Sequence, residues 1–171
     1  YLTFASGEII IDNAVNLLGN CSMCPRQCHV NRFSGEKGFC RAGRNVRLAS
    51  FNAHFGEEAP LVGRYGSGTI FFGLCNLMCS FCQNYEISHF EEGHEIEPQE
   101  LAEIMIRLQE WGCHNINLVT PTHFTAQILE SLPIAICMGL ELPLVYNCGG
   151  YENLDTLKTL EGVIDIYMPD F

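Results

Sequence analysis

Positive charge is scarce in this chain of 171 residues: 9 Lys and Arg stand against 20 Asp and Glu, a formal net charge of −11. So acidic a chain lacks the basic surface of a general nucleic-acid or anionic-membrane binder. Long apolar runs are also missing. None approaches the ~18 residues of a membrane span, and no signal peptide is visible. There are no repeats, low-complexity tracts or long linkers. With 47% hydrophobic and 17% charged residues, disorder is excluded too. The length suits one domain, or part of a larger one, and allows roughly two-thirds of the unfolded surface to be buried.

Cysteine is what the chain has. Its 10 thiols are about 6% of the residues, below the ~8–10% of a disulfide scaffold. They read as metal ligands or buried apolar groups in a reducing cytoplasm. The few cations are gathered: Arg26, Arg32, Lys37, Arg41, Arg44 and Arg47 are opposed only by Glu36, so residues 26–47 net +5 and the rest −16. Four cysteines overlap this stretch. It is either a solvated basic face or a basic shell around a metal–thiolate centre. Tyr1 is not an initiator Met, and Phe171 closes an apolar run without a turn, which reads as a fragment.

Two regions are expected. Residues 1–65 form an N-terminal Cys-rich metal-binding segment: an amphipathic lead-in to residue 20, then loops with little periodicity. Residues 66–171 alternate apolar runs with amphipathic segments. Strands are expected at Thr69–Leu74, Asn115–Val119, Leu142–Tyr146 and Val163–Met168. A helix over Gln99–Trp111 places Leu101, Ile104, Met105 and Leu108 on one face, between Pro98 and Gly112. Thr125–Met138 is helical, with Pro133 expected to kink or split it. Asn153–Glu161 is a short helix capped by Asn153 and stopped by Gly162. The fold class is α/β with a parallel sheet. An open doubly wound sheet and a partial barrel both satisfy the pattern.

Cys75-x3-Cys79-x2-Cys82 closes the first strand. Three thiolates on one tight loop can hold three irons of a 4Fe–4S cubane, leaving the fourth iron open. The alternatives are a zinc site completed by His89, or buried thiols. Leu77, Met78 and Phe81 make the loop apolar, which suits a cluster shielded from water. A second set, Cys21-x2-Cys24-x3-Cys28-x11-Cys40, is a complete four-thiol ligand set for zinc or another iron–sulfur cluster, with Gly35 and Gly38 letting its return loop close. Polar or Gly-rich clusters at Thr120–His123, Asn147–Gly150 and Pro169–Asp170 follow the later strands. In a parallel sheet they converge with the cysteine loop. Asn147 and Asp170 bring polar side chains to that shared edge. Cys113 and Cys137 read as buried apolar groups; Cys148 lies on the converging edge. His54, Glu57 and Glu58 read as a solvated loop. Glu91, Glu92, Glu95, Glu97 and Glu100 read as a solvated acidic face, with docking of a basic partner segment as the alternative.

The C-x3-C-x-aromatic-C spacing resembles that of the radical S-adenosylmethionine (SAM) enzymes. Residues 66–90, GSGTIFFGLCNLMCSFCQNYEISHF, resemble the branch containing pyruvate formate-lyase-activating enzyme, which Phe81, Gln83 and Asn84 fit. CSMCPRQCHVNRFSGEKGFC, HFGEE at 54–58, NINLVTPTH at 115–123, LPLVYNCGGY at 143–151 and DIYMPDF at 165–171 extend the likeness to uncharacterised iron–sulfur homologues of that activase. The resemblance implies a partial parallel (β/α)6 radical SAM barrel of which about four strands are present. It also implies a 4Fe–4S cluster on Cys75, Cys79 and Cys82, and SAM bound near Phe81, Asn84, Thr120, Asn147 and Asp170. The implied enzyme is a cytoplasmic oxidoreductase that takes an electron from a low-potential donor and cleaves SAM to a 5′-deoxyadenosyl radical. For an activase, that radical removes a hydrogen atom from a glycyl-radical-type protein partner. Many activases carry Gly-Gly-Glu after the second strand. Here Val119-Thr120-Pro121-Thr122-His123 offers no carboxylate, so a hydroxyl or carbonyl is expected to serve. The barrel's last two strands are not in this chain, so the 171 residues alone are expected to be inactive. The competing reading is an iron–sulfur or zinc-binding electron-transfer or scaffold module that does not cleave SAM.

Overall fold

The computed structural model describes residues 4–170, and of residues 4–9 only the backbone; Tyr1 and Phe171 lie outside the described residues. Helix α1 (Phe4–Asn16) leads into an irregular stretch holding the first four cysteines. The remaining elements are β1 (Val46–His54), α2 (Ala59–Val62), β2 (Ser67–Phe72), α3 (Tyr85–His89), β3 (His94–Ile96), α4 (Pro98–Glu110), β4 (Ile116–Val119), α5 (Thr125–Cys137), β5 (Leu144–Cys148), α6 (Leu154–Thr159) and β6 (Ile166–Pro169).

The six strands form one sheet in the order β3-β1-β2-β4-β5-β6. The four expected strands are present and mutually parallel, with bounds shifted by up to three residues. Two strands were not expected. β1, inside the stretch read as loop, pairs antiparallel with β2, and β3 pairs antiparallel with β1. From β2 to β6 the order never reverses, so right-handed crossovers all fall on one face. A doubly wound sheet requires a reversal. Consistent with this, α4 and α5 pack against each other, and α1 lies on α5. Ile70, Phe72, Ile116, Leu118, Leu144 and Tyr146 share one core with Leu101, Ile104, Met105 and Leu108 of α4.

Local signals account for the helices. Pro98 opens α4, where its missing N–H costs nothing, and Gly112 follows its end at φ 84°. The Asn153 side chain accepts from the Asp155 N–H and caps α6 as expected. Pro133 does not split α5. It faces solvent, so its ring disturbs no packed neighbour and one main-chain bond is lost.

Gly93, between α3 and β3, is a position no other residue fills. Its φ is +94°, and a Cβ there would sit 2.0 Å from the Leu48 carbonyl oxygen, where the β1–β2 register shifts. Gly93→Ala is therefore expected to cost about 3 kcal/mol, read as a fall in the urea midpoint. An unchanged midpoint would show that the β1–β3 edge is looser than drawn. Among the described residues no helix is long and apolar enough to cross a membrane.

Candidate active site at the carboxyl edge of the sheet

Phe71, Val119, Asn147 and Met168 lie side by side where the four parallel strands end. The loops that follow leave from one edge and are tied together there. The Asn76 amide donates to the Tyr151 carbonyl at 3.1 Å. Thr120 N–H donates to the Asn147 carbonyl, and Asp170 N–H to the Cys148 carbonyl, both at 2.8 Å. A Cβ on Gly149 would come within 3.1 Å of Leu77 Cδ2. Thr120, Asn147 and Asp170 thus lie along one edge, and the loop after β5 is the one that touches the cysteine loop.

The loop winds tightly around Cys75. Leu74 (φ 67°) and Met78 (φ 55°) take left-handed backbone, which costs bulky residues on the order of 1–3 kcal/mol and concentrates at functional sites. The N–H groups of Leu77 and Met78 donate to Cys75 Sγ at 3.3 and 3.5 Å, and Ser88 Oγ donates to Cys82 Sγ at 3.5 Å. Burial pushes the Cys75 thiol up, and the two N–H groups oppose it. Donors aimed at sulfur favour thiolate over thiol, the form that ligates iron. Among the described residues no three His, Cys, Asp or Glu side chains gather as around a single metal ion. In a cubane each thiolate meets a different iron, so its ligands need not converge on one point. The donor set fits the cluster.

One expectation about this loop is corrected. Phe81 is 88% exposed, and Leu77 and Met78 are only half-buried. The loop projects past the sheet edge, where no described element covers it, so its apolar residues do not keep it dry. Asn84 sits at the start of α3 with no capping bond from its side chain.

The basic segment is neither a free solvated face nor simply a shell of charge. Arg26 Nε donates to the Asn76 carbonyl (3.1 Å), Arg32 Nη1 to His123 (2.7 Å), Arg41 Nη2 to His89 (2.7 Å) and Arg47 Nε to Glu91 (2.8 Å). Arg41 and Arg44 also pair with Glu91 and Glu130. The arginines thus clamp the loops after β2 and β4. Their carbonyl partners lie 44 to 91 residues away, a separation that no local pattern signals.

Glu152 was also not legible as a site residue, and it overturns the expectation that no carboxylate reaches the β4 loop. The chain after β5 folds back so that Glu152 accepts from Thr122 Oγ1 at 2.6 Å and from the Tyr146 hydroxyl at 3.3 Å. Burial raises its pKa, and the hydroxyls partly offset this. No Lys or Arg pairs with it among the described residues. Tyr146, fully buried, has its pKa raised well above the usual value by burial and by Glu152. Cys148 beside them is pushed up to about 11, chiefly by burial, with Glu152 and Asp170 adding to it. It stays a thiol at neutral pH. Cys113 is buried as expected, whereas Cys137, on the outer end of α5, is exposed. Of the acidic run, Glu92, Glu95, Glu97 and Glu100 are solvent-facing, and Glu91 meets Arg41.

His123 supports the cysteine loop from below. Its Nε2 hydrogen-bonds the Gly73 carbonyl at 3.0 Å, two residues before Cys75. Burial, with Arg32 adding repulsion, lowers its pKa to about 3, so it is neutral and donates from Nε2. The unfolded chain takes up that proton near the ordinary value of 6.5. The unfolded state therefore binds the extra proton first. Stability is full above about pH 6.5 and falls continuously as the pH drops toward 3. At about pH 5.5 the loss from this one group is about 1.4 kcal/mol. Denaturant titrations should show it, and His123→Gln should flatten the slope. An unchanged slope would sink the assignment.

The geometry now has a family. A model of the Radical SAM superfamily matches residues 69–168, β2 through most of β6, and the chain belongs to that superfamily. It is similar to two uncharacterised proteins of Methanocaldococcus jannaschii. One is 35% identical over 173 residues, covering 96% of this chain and 48% of the relative. The other is 28% identical over 172 residues, covering 90% and 48%. The chain spans about half the length of these curated relatives. No solved structure matches. Membership points to an enzyme of radical SAM chemistry, which in general employs a 4Fe–4S cluster, SAM and an electron donor.

Proposed function

We propose that Cys75, Cys79 and Cys82 hold a 4Fe–4S cluster with one iron free of cysteine, and that SAM binds over it along the carboxyl edge. The observation that carries this is the three-cysteine loop at the end of β2, its sulfurs already receiving N–H and O–H donors, within the segment that matches the superfamily. When bound, the cluster supplies one electron that cleaves the SAM sulfonium to methionine and a 5′-deoxyadenosyl radical. The chain's own residues bind and orient. Leu77, Met78 and Ser88 stabilise negative charge on the sulfurs. Glu152, which has no cation partner among the described residues, takes the SAM ammonium in the role that Gly-Gly-Glu plays in many activases. Thr120 and Asn147 border the amino-acid moiety, Asp170 meets the ribose hydroxyls, and Phe81 and Asn84 flank the exposed side. The singly wound sheet is read as the first part of a (β/α)6 barrel. The activase-like step, hydrogen-atom abstraction from a glycine of a protein partner, is the reaction the family likeness favours.

The exposure of Phe81 and the partial exposure of Cys79 and Cys82 favour a second reading, an electron-transfer module whose cluster meets a redox partner directly. One experiment separates them. After anaerobic reconstitution with iron and sulfide, the reduced cluster is followed by EPR as SAM is added. The first reading expects a SAM-dependent change of signal, and release of 5′-deoxyadenosine where the two strands expected beyond Phe171 are present. A signal indifferent to SAM, with no product, would leave the second.

A further inference from the structure

The stretch between α1 and β1 holds itself together with very little regular structure. Residues 21–45 contain one short helical turn, yet Cys21, Met23, Cys24, Cys40 and Ala42 are all buried. The stretch doubles back on itself: Cys21 N–H donates to Val30 O and His29 N–H to Cys21 O, each at 2.9 Å. Gln27, His29 and Arg41 take positive φ. A Cβ on Gly38 would strike Cys28 Cβ at 2.7 Å, so the return loop lies directly on that thiol. A segment this long without elements of its own needs a fastening other than its few apolar contacts.

Among the described residues no three of these thiols converge as around one ion, but the four lie close enough to feel one another's charge. Cys21, Cys28 and Cys40 all act electrostatically on Cys24. Their surroundings repeat what surrounds Cys75. Phe39 N–H donates to Cys28 Sγ at 3.3 Å, the Arg26 N–H favours the Cys24 thiolate, and the Ala42 N–H the Cys40 thiolate. Amides turned onto a cysteine sulfur suit a bound thiolate and are of little use to a thiol, a weak acceptor.

The independent observation is Arg32. It is 3% exposed and, among the described residues, has no carboxylate partner, unlike Arg41 and Arg44. Its Nη1 donates to the His123 carbonyl at 2.7 Å, its Nη2 lies 3.6 Å from Cys40 Sγ, and its Nε has no partner. A buried guanidinium without an anion is costly. Four thiolates on zinc or on an iron–sulfur cluster are a buried net negative charge, which this cation neutralises.

We propose that Cys21, Cys24, Cys28 and Cys40 form a second metal–thiolate centre, and that Arg32 is its buried counter-charge. Ligation displaces the thiol protons to solvent, with no change in oxidation state required of the protein. The four ligands leave no open position, so the centre is structural. It is also joined to the first site. Arg32 holds the His123 carbonyl, and the His123 ring holds the Gly73 carbonyl at the root of the Cys75 loop.

The test uses the intact protein with Cys75, Cys79 and Cys82 all changed to Ala, prepared anaerobically. Iron, zinc and acid-labile sulfide are measured, and alkylation is mapped by peptide mass spectrometry with and without a chelator. The expected result is one bound centre, iron with sulfide or zinc without it, and alkylation of Cys28, the most accessible of the four, only after chelation. Absence of metal together with free reaction of Cys28 in the native protein would overturn the proposal. If the triple variant does not fold, the same alkylation map of the unaltered protein decides. Arg32→Gln should speed loss of metal to the chelator by roughly 10–100-fold, with Arg32→Lys intermediate. Equal rates in all three would remove Arg32 from the role.

Discussion

Replacing Cys75, Cys79 or Cys82 by Ala is expected to abolish the visible absorbance of this cluster and, in a protein that carries the two strands expected beyond Phe171, to bring SAM cleavage down to background. Three ligands are the minimum for a cubane with one open iron, so two leave a second iron unsupported and exposed to loss. The substitutions are small in volume. Cys79 and Cys82 are only partly buried and Cys75 is 9% exposed, so folding should survive. The spectroscopic and catalytic losses should thus appear without a matching fall in the thermal midpoint. Cys113→Ala, which touches only the core, should do the reverse: it lowers stability modestly and leaves absorbance and cleavage intact. A Cys75→Ala variant that cleaves SAM at the unaltered rate would refute the ligand assignment.

The second large effect belongs to Glu152. Its carboxylate is partly desolvated and is held by the hydroxyls of Thr122 and Tyr146 with no Lys or Arg partner among the described residues, so in the ligand-free protein the charge is a cost. Glu152→Gln keeps the shape and one acceptor for the hydroxyls, the other contact now requiring the Gln NH2 to donate, and removes the charge. SAM affinity should fall roughly 10–100-fold, the value of a charged hydrogen bond, while the ligand-free protein becomes no less stable. Affinity and stability moving apart distinguishes a ligand-binding carboxylate from a structural one. In the unaltered protein the raised pKa means that SAM binding weakens on acidification at a higher pH than an ordinary carboxylate near 4.5 would give. Equilibrium dialysis with SAM across pH reads both effects. A Gln variant that binds SAM as tightly as its parent would remove Glu152 from the site.

Much of the parallel sheet was legible. Apolar runs of β2, β4, β5 and β6 stand between helices whose caps are local, such as Asn153 on α6 and Pro98 on α4. β1 was missed because Arg47, Ser50 and Asn52 break its apolar pattern within an Arg-rich stretch. β3, three residues long, is too short to show a period. Cys137 was misplaced because helical spacing alone does not say which side of α5 meets the sheet.

The grouping of the thiols was determined by the sequence alone. Cysteines four and three positions apart on a tight loop remain neighbours in any fold that contains the loop, because chain connectivity keeps them within reach. The same holds, more loosely, for Cys21, Cys24 and Cys28. What only the tertiary structure decided are the partners brought in from far along the chain. Glu152 reaches Thr122 across 30 residues, Arg26 reaches Asn76 across 50, and Arg32 reaches His123 across 91. These contacts depend on how the loops leave a sheet whose strands pair β2-β4-β5-β6. Strand pairing and crossover direction are set by the burial of the whole core, which no local pattern of residues records.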